Sequence, residues 1–144
     1  MIVSRFNESI TGALRDGARA ALAEAGVALA DIEEWQVPGA FELPQAARRA
    51  AETGCFDAII CLGCVIRGET PHFEYIASAV AHGIMDAAGE TGVPMAFGVL
   101  TTDNEAQAAE RAQPGRDNKG WEAAAAAIDL ARLFRTLGER ARRS

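Results

Sequence analysis

The sequence is poor in several features that mark particular classes of protein. Its 144 residues include only three cysteines, two histidines and one tyrosine, and aromatic residues make up 6%. No apolar run approaches the roughly 20 residues that a membrane-spanning helix needs, and no cleavable leader pattern is recognised. We therefore expect a soluble, cytoplasmic protein of one domain, over residues 1–144, with no membrane partner.

Positive charge is also scarce. The net charge is −6, which disfavours nonspecific binding to nucleic acid, so no nucleic-acid partner is expected. Five of the fourteen basic residues crowd the C-terminus, namely Arg132, Arg135, Arg140, Arg142 and Arg143. We interpret this cluster as a solvated helix end whose cations complement the helix dipole.

The cysteines are Cys55, Cys61 and Cys64, and their odd number argues against a disulfide framework. The last two have the spacing of a redox or zinc motif, but they lie in the apolar run 58–66, which predicts a buried strand. Positions three apart on a strand point to opposite faces. We therefore expect reduced thiols and no metal site.

Strand-like and helical segments alternate along the chain. The predicted strands span residues 1–5, 32–37, 58–66 and 95–101, and the predicted helices span 9–25, 44–53, 73–91, 105–111 and 121–142. Gly26, Gly54 and Gly92 follow three of these helices, as C-terminal glycines do. The alternation predicts an α/β fold in which helices cover both faces of a parallel sheet.

Ligands of such sheets bind outside the carboxyl ends of the strands. There the loop Gly68-Glu69-Thr70 leads into a helix, and the free N–H groups of the helix start, with the Thr70 hydroxyl, predict a phosphate site. An equal alternative is that Thr70 serves only as the N-cap of the helix. His72, in the first helical turn, is a candidate for proton transfer rather than a purely structural residue. His82 has no polar neighbours in the pattern, so we interpret it as structural.

Other unusual residues fall in the same set of loops. Phe6 and Phe41 suggest a flat, stackable ligand, although a loop phenylalanine also serves to cap a core. Glu42 offers an acceptor for hydroxyl groups or, equally, a negative charge for a helix start. Lys119, the single lysine, and Arg111 are candidates to hold an anion, although the prevalence of arginine over lysine reduces the significance of a lone lysine.

Short strings along nearly the whole chain resemble the lumazine synthase family. Each string is weak alone, but their combination and order are highly specific. The matching strings are Arg5-Phe6-Asn7, Val37-Pro-Gly-Ala-Phe-Glu-Leu-Pro44, Leu62-Gly-Cys-Val-Ile-Arg-Gly-Glu-Thr-Pro-His72, Gly92-Val-Pro, Phe97-Gly-Val-Leu-Thr-Thr102 with Asn104, Glu110-Arg-Ala112 and Asn118-Lys-Gly120.

The resemblance implies a flavodoxin-like, three-layer sandwich. Its four-stranded parallel sheet would have the strand order 2-1-3-4, between helices. Members of the family assemble as pentamers, and some pentamers build icosahedral shells. The implied protein is therefore a homo-oligomer.

The resemblance also assigns a pyrimidine-binding set. Its members are Phe6, Ala40, Phe41, Glu42, Cys64, Val65 and Ile66. Phe6 would stack on the ring, and residues 40–42 would bind the ring and the ribityl chain. Residues 64–66 would present backbone groups to the ring.

A second implied set holds the phosphorylated substrate. Glu69 and Thr70 would bind its phosphate at the helix start, with Arg111 supplied by the adjacent subunit and Lys119 nearby as a supporting cation. Phe97, also from the neighbour, would close the pocket over the aromatic ring. The active site implied by the family is thus shared between subunits.

The implied reaction is the penultimate step of riboflavin biosynthesis. In it, 5-amino-6-(D-ribitylamino)uracil condenses with 3,4-dihydroxy-2-butanone 4-phosphate, without cofactor or metal. The amine attacks the ketone, water leaves to give an imine, phosphate is eliminated and the ring closes. His72 would be the catalytic, proton-transfer residue, and positioning would supply the rest.

The chain departs from the family pattern in one respect. Family members usually carry an N-terminal arm and more of the first strand, which we expect to be truncated here. The segment 113–117 is short, as in shell-forming members, but has less glycine, so pentamer and shell both stay open. Two alternatives are a noncatalytic flavin-binding or shell protein on this fold and a flavodoxin-like electron carrier, although the latter's Ser/Thr-rich phosphate loop is absent after strand one.

Overall fold

The computed structural model describes residues 1–143. In them four parallel strands form one sheet in the order β2-β1-β3-β4. The strands are β1 (Ile2–Ser4), β2 (Trp35–Val37), β3 (Ile59–Ile66) and β4 (Met95–Thr102). The helices are α1 (Glu8–Glu24), α2 (Leu43–Glu52), α3 (His72–Thr91), α4 (Glu105–Arg111) and α5 (Lys119–Arg143). The predicted α/β class and strand order are confirmed.

The central strand β3 is buried by helices on both faces. Ile60, Leu62 and Cys64 point to the side that carries α1, α4 and α5, whereas Ile59 and Cys61 point to the side of α2 and α3. This is the two-residue period of a strand. Burial on both sides explains why the segment reads as a continuous apolar run, and it confirms that Cys61 and Cys64 face opposite ways.

Most predicted boundaries agree with the structure to within one residue, and α5 begins two residues earlier than predicted. The glycines predicted to follow helices do so. Gly26, Gly54 and Gly92 have φ angles of 84°, 72° and 73°, the left-handed conformation in which helices commonly end.

The largest difference concerns β2, which is predicted over 32–37 and observed only at Trp35–Val37. Residues Leu29–Asp31 form a short 3₁₀ helix just before the predicted strand, and the Ile32 N–H donates to the Leu29 carbonyl at 3.2 Å. β2 lies at the sheet edge and pairs with β1 from Ile2↔Trp35 onward. The apolar pattern overestimates the length of β2, because a segment forms a β-strand only where another strand pairs with it.

Asn118 joins three helices through one buried side chain, which is 2% exposed. Its Oδ1 accepts hydrogen bonds from the N–H groups of Gly120 at 2.8 Å and Trp121 at 3.1 Å, and so caps the start of α5. Its Nδ2 donates to the carbonyls of Ala13 at 3.2 Å and Ala112 at 2.9 Å. The early start of α5 follows from this cap.

In the same region the backbones of α5 and α1 pack directly against each other. A Cβ atom at Gly120 would overlap the Leu14 carbonyl, and one at Gly17 would overlap the Asn118 side chain. Glycine is therefore required at both positions for the two helices to approach. Lys119 lies between the buried residues Asn118 and Gly120. The family string Asn118-Lys-Gly120 therefore has a structural role in addition to any role of Lys119 in binding.

We predict that Asn118→Ala lowers the free energy of unfolding by about 3 kcal/mol, because the helix cap is lost and buried backbone groups lose their partners. Urea denaturation measures the change. Asn104→Ala is the matched control, since Asn104 caps α4 at an exposed position by accepting from the Gln107 N–H at 2.8 Å. Its loss should be about 1 kcal/mol. Equal losses for the two variants would show that the buried contacts to α1 and α4 add nothing.

Candidate active site

At the carboxyl edge of the sheet, β3 extends farther than β1. β4 pairs with β3 as far as Ile66, but β1 pairs with β3 only as far as Leu62. The segment 63–66 therefore runs beside β4 on one side and beside the loop after β1 on the other. An opening of this kind at the strand ends is where an α/β sheet binds ligands.

The backbone of this segment has a fixed direction. The N–H groups of Ile59 and Arg67 donate to carbonyls of the β4 strand region, at 2.8 Å each, so odd-numbered positions face β4. Even-numbered positions face the β1 side, because backbone groups alternate along a strand. Cys64 and Ile66 thus direct their backbone groups into the opening. Those of Val65 face β4, so the expectation that Val65 presents backbone groups to the ring is wrong.

Asn7 closes one side of the opening. It precedes α1 and has φ 61° and ψ 51°, and its side chain makes no cap to that helix. Instead its Nδ2 donates to the Cys64 carbonyl oxygen at 3.2 Å. The sequence did not reveal this contact, since asparagine before a helix ordinarily predicts a cap. The bond ties the loop that carries Phe6 to the end of β3.

Two predicted aromatic residues are exposed here. Phe6 is 66% exposed and Phe41 is 59% exposed, so neither caps the core. Ala40 is buried against β3, since a Cβ at Gly63 would lie 3.5 Å from the Ala40 Cβ. Glu42 is partly buried at the end of a second short 3₁₀ helix, Ala40–Glu42, which precedes α2. The second loop thus presents Phe41 and Glu42 beside the end of β3.

The loop after β3 leads directly into α3. The helix begins at His72 with Pro71 as its N-cap, so the alternative in which Thr70 caps the helix is wrong. Glu69, Thr70 and His72 are exposed. N–H groups in the first turn of a helix have no acceptor within the helix, which makes this turn suited to an anion.

Arg67 connects this loop to its surroundings, a role that nothing in the sequence beyond the family string predicted. Its Nε donates to Asp103 Oδ1 at 2.8 Å, and its Nη1 donates to Glu74 Oε1 at 3.2 Å. Its guanidinium carbon lies 4.6 Å from the ring centre of Phe73. The hydrogen bonds to Asp103 and Glu74 raise the pKa of Arg67.

The prediction that His82 lacks polar company is wrong. Its Nδ1 donates to the Ser78 carbonyl oxygen at 2.9 Å and lies 3.3 Å from Ser78 Oγ. The two residues are four apart on an exposed helical face, where such side chains are neighbours. This contact lies within α3 and away from its first turn, which leaves the structural interpretation of His82 in place.

Three further predicted residues lie outside the loops that surround the end of β3: Arg111 and Phe97, which are expected to act in a neighbour's site, and Lys119, the expected supporting cation. Arg111, at the end of α4, donates to the Gln107 carbonyl oxygen within its own helix at 3.1 Å. Lys119, at the start of α5, pairs with Glu122 of its own helix, with 3.6 Å between Nζ and Oε2. Phe97 lies within β4, in register with Cys61, and is 39% exposed.

The large cleft within residues 1–143 lies at the opposite end of the sheet. Its volume is about 630 Å³, and Met1, Ile60 and Arg132 are among the residues that line it. It contains none of the predicted site residues. At the carboxyl edge, Phe6, Phe41 and His72 are exposed to solvent in the single chain.

The described residues contain no group of three or more histidine, cysteine, aspartate or glutamate side chains placed to hold a metal ion. Nor does any described helix combine the length and apolar composition needed to cross a bilayer. The three thiols are free. Burial raises the pKa of Cys61 to about 12 and that of Cys64 to about 11.

Comparison with known proteins decides the family. The family model for 6,7-dimethyl-8-ribityllumazine synthase matches residues 1–135. This chain belongs to the 6,7-dimethyl-8-ribityllumazine synthase family. A relative of that name from Syntrophus aciditrophicus (strain SB) is 53% identical over 135 residues, which cover 94% of this chain and 88% of the relative. In this lumazine synthase family member, three of the family strings, 5–7, 37–44 and 62–72, cover the loops that surround the end of β3.

We predict that a disulfide reagent such as DTNB labels one thiol in the native protein and three after unfolding. At about pH 8 the buried Cys61 and Cys64 stay protonated, whereas Cys55 is exposed, and the thiolate is the reactive form. The absorbance of the released thiolate counts the labelled residues. Cys55→Ser should remove the native signal. Fast labelling of that variant would contradict the placement of Cys64 inside the core.

Proposed function

We propose that this chain catalyses the reaction of its family. It is a transferase that condenses 5-amino-6-(D-ribitylamino)uracil with 3,4-dihydroxy-2-butanone 4-phosphate to 6,7-dimethyl-8-ribityllumazine, releasing phosphate and water, in riboflavin biosynthesis. The observation that carries the proposal is the family match over residues 1–135 together with 53% identity to a relative of that name. A noncatalytic flavin-binding role is not favoured by this match.

In this proposal the pyrimidine lies in the opening beside the end of β3. Phe6 stacks on the ring, since its face is exposed at the mouth of the opening. Cys64 and Ile66 present backbone groups to the ring edge, which is supported by the direction of their N–H and C=O groups. Val65 lines the site through its side chain, because its backbone faces β4.

The turn Ala40–Glu42 binds the rest of this substrate. Phe41 contacts the ring, and the Glu42 carboxylate accepts hydrogen bonds from ribityl hydroxyls. Ala40 is buried against β3 and brings the turn close to the ring. The exposure of Phe41 supports this assignment.

The phosphate of the second substrate binds at the start of α3. Glu69 and Thr70 hold it through the loop backbone and the threonine hydroxyl, where the helix dipole favours an anion. Arg111 of a neighbouring subunit supplies a charge-assisted contact, and Lys119 is a supporting cation. Phe97 of the neighbour closes the pocket over the ring. The open edge of the single chain supports sharing of the site.

His72 is the proposed proton-transfer residue. It begins α3, directly after the phosphate loop, and is exposed to a ligand at that turn. It moves protons as the substrate amine attacks the ketone, a first water leaves to give an imine, phosphate is eliminated, and the ring closes with loss of a second water. The substrate amine is itself the nucleophile, so the protein's main contribution is to hold the two reactants together and exclude water.

The same proposal includes a ring-shaped homo-oligomer, either a pentamer or a shell built of pentamers. Support comes from apolar side chains that are exposed on one stripe of α5, namely Leu130, Leu133, Phe134 and Leu137. Spacing of three, four and seven residues places them on one helical face. A cytoplasmic location is also part of the proposal, and the free thiols are compatible with it.

The enzyme assay follows lumazine formation by absorbance with both substrates saturating. We predict that His72→Ala lowers kcat by roughly 10²- to 10³-fold without abolishing turnover, because proton transfer is lost while positioning remains. His82→Ala is the matched control, since it removes the other histidine of α3, and should leave kcat unchanged. An undiminished kcat in His72→Ala would remove this residue from proton transfer, and an inactive wild type would overturn the proposed function.

Sharing of the site predicts that two inactive variants rescue each other. Phe6→Ala spoils ring stacking in its own subunit, and Arg111→Ala weakens the phosphate contact in the neighbour's site by roughly 2 kcal/mol or more. A mixed ring contains some sites that are wild type at both positions. Co-refolded mixtures should therefore recover a fraction of the activity, whereas unexchanged mixtures should recover none. Mixed rings as inactive as either parent would place the phosphate contact within one chain.

A further inference from the structure

One side chain at the carboxyl edge bridges three parts of the proposed phosphate site without belonging to any of the residue sets above. Arg67 follows β3, and its N–H completes the strand pairing by donating to the Thr102 carbonyl at 2.8 Å. Its side chain reaches Asp103, after β4, and Glu74, in the first turn of α3. Arg67 thus ties the loop after β4 to the helix start.

The contacts of Arg67 bracket His72. Its guanidinium carbon lies 4.6 Å from the Phe73 ring centre and its Nη1 lies 3.2 Å from Glu74 Oε1. Both partners follow His72 directly, so Arg67 holds the first turn of α3 from two points. A planar guanidinium suits this double contact, since it stacks on a ring and donates to carboxylates at the same time.

The charges at this edge are unfavourable for a phosphate without Arg67. Glu69, Glu74 and Asp103 all lie in the loops or first turn that surround the helix start. A phosphate monoester carries nearly two negative charges near neutral pH. Arg67 pairs with two of these three carboxylates. The cations proposed to contact the phosphate, Arg111 of a neighbouring subunit and Lys119, are placed on other helices.

Fold stability does not explain this arrangement. The Arg67 side chain is 46% exposed and its two carboxylate partners are 65% and 64% exposed. Ion pairs this exposed contribute little to stability. A carboxylate pair held by one arginine beside an anion site has its main effect on the local electrostatic field.

We propose that Arg67 is a positioning residue for the phosphorylated substrate, which compensates Asp103 and Glu74 and fixes the first turn of α3 without itself contacting substrate. The proposal rests on the proposed function for the identity of that substrate. It predicts that the charge of the two carboxylates, rather than any lost contact to Arg67, is what weakens phosphate binding when Arg67 is removed.

The test compares Arg67→Gln with Arg67→Gln/Asp103→Asn. The single variant should raise the KM for 3,4-dihydroxy-2-butanone 4-phosphate and the Kd for inorganic phosphate about tenfold, because an unpaired carboxylate repels the anion. The KM for the ribitylamino substrate should stay unchanged. The double variant should recover most of the phosphate affinity, since the repelling charge is gone. A purely structural role of Arg67 predicts no such recovery.

Arg48→Gln is the matched control. Arg48 is also 46% exposed and also pairs with a carboxylate, Glu90, near the far end of α3. It should leave both KM values and the phosphate Kd unchanged, and its melting temperature should match that of Arg67→Gln. Light scattering on each variant confirms that the assembly size is the same.

A variant that keeps Arg67 tests the proposal independently. Asp103→Asn alone should bind inorganic phosphate about threefold more tightly, because one competing negative charge is removed. Calorimetric binding of inorganic phosphate needs no turnover, so it tests Arg67 even if the proposed function fails in the assay. Unchanged phosphate affinity in Arg67→Gln, equal losses for both substrates, or no recovery in the double variant would overturn the proposal.

Discussion

The structure depends on one constraint, the position of β3. It lies between two helical layers and between two strands, β1 and β4, that pair with it over different lengths. Helices on both faces bury its side chains alternately, and β4 accompanies it to Ile66. β1 accompanies it only to Leu62. The extra length of β3 creates the opening in which backbone groups face a ligand, so the candidate site is a consequence of sheet register as much as of particular side chains.

Around that opening, polar contacts fix loops that carry few buried side chains of their own. Asn7 reaches the Cys64 carbonyl, and Arg67 reaches Asp103 and Glu74. Asn7 has a left-handed backbone and gives up the helix cap that its residue type favours. Backbone strain of this kind is commonly found where function requires one loop conformation. The loops are thus held by side chains that the chemistry itself does not use.

Close packing on the other side of the sheet has a different basis. Gly120 and Gly17 let α5 and α1 meet at backbone distance, and Asn118 satisfies the polar groups that this approach buries. These contacts fix where α4 ends and α5 begins. They also set the positions of Arg111 and Lys119, which lie at those two helix ends. The family string 118–120 therefore combines two roles: Asn118 and Gly120 are needed for packing, whereas Lys119 is available to a ligand.

The sequence by itself determined the alternation of strands and helices, the helix-ending glycines and the opposite facing of Cys61 and Cys64, because each follows from local periodicity or from the conformation of one residue type. The family strings also located the loops that surround the site. Only the tertiary structure decided the length of β2 and the contacts of Asn7 and Arg67. These depend on which segments run side by side, and hydrogen bonds between residues far apart in the chain have no signature in the local pattern.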